Sequence, residues 1–323
     1  MLEKKGAALL FGLCKDRIAH GARISDGRNH TAEPGKVDWL GKRETVNPEA
    51  AERLEDFFAM FAGGTRPFLL LDYDGTLAPF RVDRFTARPW AGVRGLLEEI
   101  QRQGKTGMAV ITGRPAAEIA PMIGLEPPLE VWGLHGAERL YPDGRRELEQ
   151  APAATQVKLE ELREHLRRDS LGGLFEDKAN GVVMHWRGAT RRKAEQIERR
   201  TRELFEPLAR MEGLALLEFE AGLELRVGRN KGGAVEAILA EAGAGKNGHA
   251  DNPVAYLGDD LSDEAAFRAV QRVGRRGLSV LVRRTWRETA AEVWLRPPEE
   301  LKGFLRRWLE EGDSKSIFHS SNR

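Results

Sequence analysis

The stretch that decides the fold is "LLLDYDGTLAPF", residues 69–80, in which a short apolar run ends in two aspartates. The apolar run indicates a buried strand, and Asp72, Asp74 and Gly75 follow it directly. Gly75 alone would supply the turn that ends such a strand. Two carboxylates held close together repel each other unless positive charge lies between them. The pattern therefore predicts a cation site at the end of this strand.

Four other apolar runs share the features of this first strand. Each is short, bounded by Gly, Pro or charged residues, and nearly continuous, as strands buried on both faces are. Amphipathic helical patterns lie between the runs, which favours a parallel sheet with helices on both faces. The runs are "GMAVIT", "LEVWGL", "VAYLG" and "LSVLV", and the helical patterns include "PWAGVRGLLEEIQRQ", "KGGAVEAILAEAG" and "DEAAFRAVQRV".

The middle of the chain has a different pattern, in which two long charged helices are each followed by two short strand-like runs. The order α-β-β-α-β-β predicts a small sheet covered by two helices and inserted into the larger fold. The predicted fold class is therefore α/β, with a Rossmann-like parallel-sheet core and an inserted smaller α+β domain. The predicted parts are a partly disordered, polar N-terminal extension (1–48), the first part of the core (49–141), the inserted domain (142–226), the second part of the core (227–310) and a C-terminal tail (311–323).

Composition and charge argue against several classes of function. The 323 residues include 51 Lys and Arg against 50 Asp and Glu, a net charge of +1 that gives no bulk electrostatic basis for binding nucleic acid or an acidic membrane surface. Glutamates interrupt the basic run 191–202, which favours a solvated helix face. No apolar run approaches the ~18 residues that a membrane span needs. The single cysteine, Cys14, excludes an internal disulfide and a cysteine-based zinc site, and a cytoplasmic location is expected.

Asp72 and Asp74 have a chemical interpretation besides the turn. A carboxylate can attack a phosphoryl group and form an aspartyl-phosphate, which splits hydrolysis into two easier steps. Asp72 emerges first from the strand and is the candidate nucleophile. Asp74 is placed to protonate the leaving alkoxide and later to deprotonate the attacking water. The alternative is a turn with incidental aspartates, because short motifs often match by chance.

Two further motifs follow predicted strand ends or begin a helix. In "VITGRP", Thr112 offers a hydroxyl to a phosphate oxygen. Arg114 is either a phosphate or sugar contact or a surface charge at the start of the next helix, and the sequence alone favours the surface. In "GRNKGGAVEAIL", Lys231 lies at a helix start, where the helix dipole disfavours a cation. This position indicates that Lys231 neutralises a phosphate and the nucleophile.

The last motif, "YLGDDLSDEAAF", places three aspartates directly after a strand. One or two acids at a helix N-terminus need no functional explanation, because capping and the helix dipole favour them. Three exceed that need, and carboxylates suit Mg²⁺, which also binds substrate phosphate and water. Asp259 is therefore predicted to bind Mg²⁺ together with Asp72 and Asp74. Asp260 and Asp263 are predicted to support the site, Asp263 by orienting a metal-bound water or by holding the lysine.

The motifs are expected to converge, because the C-terminal ends of parallel strands meet at one edge of the sheet. In order, they resemble the four motifs of the haloacid dehalogenase superfamily of phosphohydrolases. More narrowly, "DYDGTLAPF", "GLHGAE", "FEDKANGVVMHWR" and "GDDLSDEAAF" resemble the trehalose-6-phosphate phosphatase family over most of residues 66–310. The resemblance implies Mg²⁺-dependent hydrolysis of a small-molecule sugar phosphate, trehalose 6-phosphate. It also implies that the inserted domain is a cap that selects the substrate.

The resemblance assigns roles to residues outside the four motifs. It implies that Glu176 and Lys178 of "EDK" and Glu224 of "LELRV" hold the hydroxyls of the distal glucose. It also implies that His135 of "GLHGAE" lines the cleft between cap and core. From the residues alone, Glu176 and Lys178 would share one face of a strand, and an exposed cross-strand ion pair is the alternative.

Three other functions remain open on the sequence. A phosphatase of sucrose phosphate or of a glycosyl-phosphoglycerate would be expected to have a more basic pocket than "EDK" provides. A phospho-acceptor signalling domain would have an acid pair before the phosphorylated aspartate and would lack both "DGT" and a cap. A catalytically inactive sugar-phosphate sensor is disfavoured because Asp72, Asp74, Lys231 and Asp259 are intact. The sequence indicates no oligomeric state.

Overall fold

The structure is a computed structural model, and it describes residues 48–61, 65–81, 83–168, 174–178, 181–219, 221–244 and 252–313. Apart from residue 48, the predicted N-terminal extension lies outside the described residues. In chain order the strands are β1 (Phe68–Leu71), β2 (Gly107–Ile111), β3 (Glu130–Gly133), β4 (Glu138–Leu140), β5 (Arg146–Leu148), β6 (Phe175–Lys178), β7 (Gly181–His185), β8 (Leu214–Phe219), β9 (Gly222–Val227), β10 (Val254–Gly258), β11 (Gly277–Val282) and β12 (Val293–Leu295).

The larger sheet of the described chain has the strand order β12-β11-β10-β1-β2-β3-β4-β5. The strands from β12 to β3 are parallel, and β4 and β5 extend the sheet as an antiparallel edge. The predicted parallel core is confirmed, and its five apolar runs correspond to β1, β2, β3, β10 and β11. The sequence did not predict β4, β5 or β12, because a strand of three residues is too short to show a period.

Helices cover both faces of this sheet, as the alternating pattern predicts. The helices are α1 (Pro48–Ala59), α2 (Val93–Gln103), α3 (Ala116–Ile123), α4 (Ala153–Arg168), α5 (Arg191–Ala209), α6 (Lys231–Ala244), α7 (Glu264–Gln271) and α8 (Glu299–Asp313). One apolar core joins a face of the sheet to α1, α2, α3 and α8, and a second core joins the other face to α6 and α7. Helix α8 includes the first three residues of the predicted tail, and residues 314–323 lie outside the described residues.

The inserted domain forms a separate antiparallel sheet with the order β6-β7-β9-β8. One face packs on α4 and α5 through side chains such as Leu162, Phe205 and Leu225. The predicted order α-β-β-α-β-β is confirmed. Because side chains alternate along a strand, Glu224 and Arg226 of β9 lie on the face opposite to these helices. The exact domain boundaries stay predictions.

The basic run of the inserted domain lies on α5, and its arginines form ion pairs. Arg191 pairs with Glu195 one turn along the helix at 3.0 Å, and Arg202 pairs with Glu198 at 2.9 Å. These contacts confirm the prediction of a solvated helix face. In the part of the chain that the structure describes, no helix combines the length and the apolar character that a membrane span requires.

Two segments connect the inserted domain to the core, and one side chain joins them. Glu149 precedes α4 and accepts hydrogen bonds from the backbone N of Arg229 at 3.0 Å and from its Nε at 2.9 Å. Gly228, between β9 and α6, has φ +101°, and a Cβ there would lie 2.4 Å from that of Ala137. The second connection therefore requires glycine, and it leads directly into the helix that begins with Lys231.

Candidate active site

The alternation of β1 continues past its end and separates the two aspartates from the core. Leu69, Leu71 and Tyr73 pack into the first apolar core, and the Tyr73 hydroxyl donates to the backbone O of Ala87 at 2.8 Å. Asp72 therefore points out of this core, above the C-terminal edge of the sheet. Its backbone N donates to Leu257 O at 2.8 Å, which fixes Asp72 beside the end of β10.

Lys231 reaches the predicted nucleophile. The Asn230 side chain caps α6 by accepting from Gly233 N at 3.0 Å, so that Lys231 occupies the first helical position. Its buried Nζ lies 2.8 Å from Asp72 Oδ1 and 2.7 Å from Asp263 Oδ1. The ion pairs offset the cost of burying the ammonium so close to the positive end of the helix dipole. The structure thus places Lys231 beside the predicted nucleophile, and its role in neutralising a phosphate stays a prediction.

Asp263 organises one side of the site through four hydrogen bonds. Besides Lys231, its Oδ1 accepts from the Tyr256 hydroxyl at 2.6 Å. Its Oδ2 accepts from the backbone N atoms of Asp259 at 3.0 Å and Asp260 at 2.9 Å. Of the two roles that the sequence left open, the contacts favour holding the lysine. Asp260 itself accepts from Leu261 N at 2.7 Å and caps the following turn.

Asp72, Asp259 and Asp263 each offer a carboxylate oxygen within 4.8 Å of the others, so that this group can hold a metal ion. Asp263 is already bound by four donors, which leaves Asp72 and Asp259 as the available ligands. Asp259 Oδ1 is enclosed and has no hydrogen-bond partner among the described residues, as expected of an atom that needs a cation. Beside Asp259 lies a cavity of about 450 Å³, also lined by Gly75, Trp90 and Arg283.

Burial and the charges of neighbouring acids raise the pKa values of Asp72 and Asp259. Burial raises the pKa of Asp72 to about 7, and the Asp263 charge adds to the effect while Lys231 opposes it. Burial, followed by the charges of Asp72 and Asp263, raises the pKa of Asp259 well above its ordinary value. A hard dication between Asp72 and Asp259 would stabilise both ionised forms. The donor set therefore fits Mg²⁺.

Arg114 is buried, which corrects the preference for a surface charge. Only 7% of its surface is exposed, and Nη1 donates to Arg84 O at 2.9 Å and lies 3.5 Å from Asp74 Oδ1. Nη2 donates to Glu118 at 3.3 Å. The sequence could not show this, because Arg114 is enclosed by the loop between β1 and α2, which has no periodic pattern. The carboxylate of Asp74 lies outside the three-aspartate group, and its role as a metal ligand stays a prediction.

Thr112 and His135 extend the site toward the inserted domain. Thr112 is buried at the end of β2, and its backbone O accepts from His135 N at 2.8 Å. His135 has φ +57°, and its ring packs so closely over Gly113 that a Cβ there would lie 2.7 Å from ring atoms. Burial, followed by the charges of Lys231, Arg226 and Lys178, lowers the pKa of His135 well below 6.5. The lowered pKa favours the neutral imidazole, and charges from both domains act on it, while its place in the cleft stays a prediction.

Residues 70–296 match the family model described as trehalose-phosphatase. The chain belongs to the trehalose-phosphatase family. A trehalose-phosphate phosphatase of Mycolicibacterium paratuberculosis is 31% identical over 95% of this chain and 78% of its own length. The structure of Aspergillus fumigatus trehalose-6-phosphate phosphatase aligns with a TM-score of 0.65 and 25% identity, and covers 80% of this chain and 97% of that one. A phosphatase of the haloalkanoate superfamily from Bacteroides thetaiotaomicron shares the fold, with a TM-score of 0.53 at 17% identity over 78% of this chain and 97% of its own.

The inserted domain is the predicted cap, and its sheet brings two of the three predicted sugar-binding residues into contact. Lys178 Nζ donates to Glu224 Oε2 at 3.1 Å across the sheet. Glu176 lies 3.0 Å from His185 Nε2 and not against Lys178. Both contacts cross between strands, as the alternative of a cross-strand ion pair expects. Binding of a sugar by these residues stays a prediction.

Sequence reasoning missed Arg226, although it belongs to the same motif as Glu224. Its side chain is on the cap face opposite to α4 and α5, and only 4% of its surface is exposed. The two-residue spacing from Glu224 on β9 was the available signal, because residues i and i+2 share a face of a strand. A second cavity, of about 650 Å³, lies between β8 of the inserted domain and the turn at Leu261 of the core.

Proposed function

We infer that this chain is a phosphoric monoester hydrolase that converts trehalose 6-phosphate to trehalose and phosphate. The observation that carries this inference is the contact of Lys231 with Asp72 in a chain of the trehalose-phosphatase family, 2.8 Å from nitrogen to oxygen. The contact unites a nucleophile and a phosphate-neutralising cation at the edge where parallel strands end, beneath a cap.

In the first step, Asp72 Oδ attacks phosphorus as the bond from phosphorus to the sugar oxygen breaks. Asp74 donates a proton to that oxygen, and the products are trehalose and an aspartyl-phosphate. Burial raises the pKa of Asp74, with Arg114 opposing the effect, so that a larger fraction is protonated near neutral pH. Arg114 holds the Asp74 side chain in place through their 3.5 Å contact.

In the second step, Asp74 removes a proton from water as the water oxygen attacks the phosphorus of the aspartyl-phosphate. The bond from phosphorus to Asp72 breaks, which releases phosphate and restores the carboxylate. Lys231 stays beside Asp72 throughout and stabilises the negative charge that develops on the phosphoryl oxygens. Thr112 supports the same oxygens from the end of β2.

Asp72 and Asp259 would hold Mg²⁺, with Asp74 as a further predicted ligand. When bound, the ion supplies positive charge that polarises the phosphoryl group and offsets the repulsion among the aspartates. The cap supplies the sugar site through Glu176, Lys178 and Glu224, whose charged groups form strong hydrogen bonds with hydroxyls. The cytoplasmic location stays a prediction.

The experiment is phosphate release from a panel of trehalose 6-phosphate, sucrose 6-phosphate and a glycosyl-phosphoglycerate, with Mg²⁺ and with a chelator. We expect trehalose 6-phosphate to be cleaved with the highest kcat/KM and the chelator to stop release. Equal cleavage of the whole panel would support the phosphatase chemistry of the core residues but contradict the assignment of the cap residues to sugar binding. Asp72→Asn is the control, and it should release no phosphate.

A further inference from the structure

On the cap sheet, Arg226 lies between two strand neighbours that have little or no side chain. Its register partners are Gly181 on β7 and Ala215 on β8, the first without a side chain and the second with a methyl group. The guanidinium is nevertheless buried. The positive charge of Arg226 acts on His135 of the core, so the two side chains lie near each other.

The hydrogen-bond inventory of Arg226 is incomplete. Nη1 lies 3.9 Å from Glu224 Oε1, beyond a hydrogen bond, and Glu224 Oε2 already accepts from Lys178. Nε and Nη2 are enclosed and have no partner among the described residues. A buried cation with unused donors is costly, and burial lowers the pKa of this guanidinium. A purely structural arginine would be expected to use these donors.

On the core side, His135 also has a ring nitrogen without a hydrogen-bond partner. Its Nδ1 is enclosed and has no partner in the described part of the chain. The ring lies on Gly113, next to Thr112, and so borders the phosphate end of the site. The charges of Lys231 in the core and of Arg226 and Lys178 in the inserted domain all act on this ring.

We propose that Nε and Nη2 of Arg226, together with Nδ1 of His135, bind adjacent hydroxyl oxygens of the sugar ring that carries the phosphate. The planar fork of a guanidinium presents parallel N–H groups that match two neighbouring oxygens. His135 adds a neutral nitrogen that donates or accepts according to its tautomer. The proposal rests on the proposed function and deepens it. The ring that carries the phosphate is bound between cap and core, and the distal ring is bound by the cap alone.

The guanidinium of Arg226 could instead bind phosphate oxygens. Two ligands, one with and one without sugar hydroxyls, distinguish these possibilities. Binding is measured by calorimetry with Mg²⁺ in the Asp72→Asn protein, which does not turn over. The ligands are trehalose 6-phosphate and p-nitrophenyl phosphate, which has no sugar hydroxyls. Arg226→Met should weaken trehalose 6-phosphate binding about 10- to 100-fold, as expected for lost hydrogen bonds to a charged group, and change p-nitrophenyl phosphate binding less than about 2-fold. Equal weakening of both ligands, or of neither, would overturn the proposal.

The Tm of the ligand-free protein provides a second readout. If Arg226 had a structural role, its replacement would lower the Tm. Because Arg226 leaves two donors unpaired, Arg226→Met should leave the Tm unchanged or raise it. A lower Tm would show that the side chain stabilises the cap and would contradict the proposal. Arg202→Met is the matched control, since Arg202 is a cap arginine that is hydrogen-bonded to Glu198 and ion-paired with Glu218. It should not change the ratio of the two affinities.

Failure of the proposed function would give a different result in the same binding measurements. If the Asp72→Asn protein with Arg226 intact binds trehalose 6-phosphate no better than p-nitrophenyl phosphate, the substrate assignment is wrong, and the proposal falls with it. If that protein prefers trehalose 6-phosphate and Arg226→Met retains the preference in full, only the role of Arg226 is wrong.

Discussion

The ammonium of Lys231 donates a hydrogen bond to Asp263 Oδ1 at 2.7 Å, and both groups are buried. Asp263 also accepts from two backbone amides and a tyrosine hydroxyl, so that its position is fixed. The contact joins the first residue of α6 to the turn after β10. It therefore determines where the lysine stands relative to Asp72, which lies on a third element.

Asp263→Asn should impair both stability and activity. The amide keeps an acceptor oxygen but loses the charge that balances Lys231 and the second acceptor oxygen used by the backbone amides. Breaking a buried ion pair costs about 3–5 kcal/mol of unfolding free energy. We expect a loss of that size in denaturant unfolding and a fall in kcat of at least about 100-fold, since removal of an electrostatic stabiliser has this effect.

Asp260→Asn is the matched control for Asp263→Asn. Asp260 lies three residues earlier in the same turn and accepts from Leu261 N as a cap. Asparagine caps a helix as well as aspartate does, so the unfolding free energy should change by less than about 0.5 kcal/mol. Similar losses for both variants would show that the turn, and not the contact with Lys231, is what matters.

Gly75→Ala should disrupt the predicted metal site. Gly75 has φ +86°, and a Cβ there would lie 2.1 Å from Asp259 Oδ2. Gly144 has the same φ, and a Cβ there would meet no atom within 4 Å, so Gly144→Ala introduces the backbone strain alone. Both variants should lose about 1–2 kcal/mol from the left-handed conformation. Only Gly75→Ala should abolish the rise in Tm that Mg²⁺ produces. An equal rise in both would contradict a role for Asp259 as ligand.

His135 should make the folded protein sensitive to mild acid. Its pKa is lowered below 6.5 in the folded state, mainly by burial, so the unfolded chain binds the proton more readily. The free energy of unfolding is therefore unaffected by this group well above pH 6.5 and falls as the pH drops from 6.5 toward the folded pKa. His135→Asn suits the positive φ and removes the titration. Between pH 7 and 5, the Tm of the wild type should fall more steeply than that of the variant, and parallel curves would contradict the assignment.

The sequence predicted the parts of this molecule whose signals are local or periodic. The strand that ends at Asp72, the helix that begins at Lys231 and the α-β-β-α-β-β insertion follow from apolar periodicity and turn residues. The convergence of the motifs follows because strand ends share an edge. Contacts between distant segments could not be predicted in this way. The burial of Arg114 against Arg84 O depends on a loop without a period, and the unused donors of Arg226 depend on what surrounds its side chain in the folded protein.

The trapping of a covalent intermediate tests the central claim most directly. The protein is mixed with trehalose 6-phosphate and Mg²⁺, quenched in acid within milliseconds and digested, and the peptide that contains residues 69–80 is examined by mass spectrometry. We predict one added phosphoryl group on Asp72, none in Asp72→Asn, and a longer-lived adduct in Asp74→Asn because water is not activated. Rapid phosphate release by Asp72→Asn, or a phosphoryl group on another residue, would contradict the account.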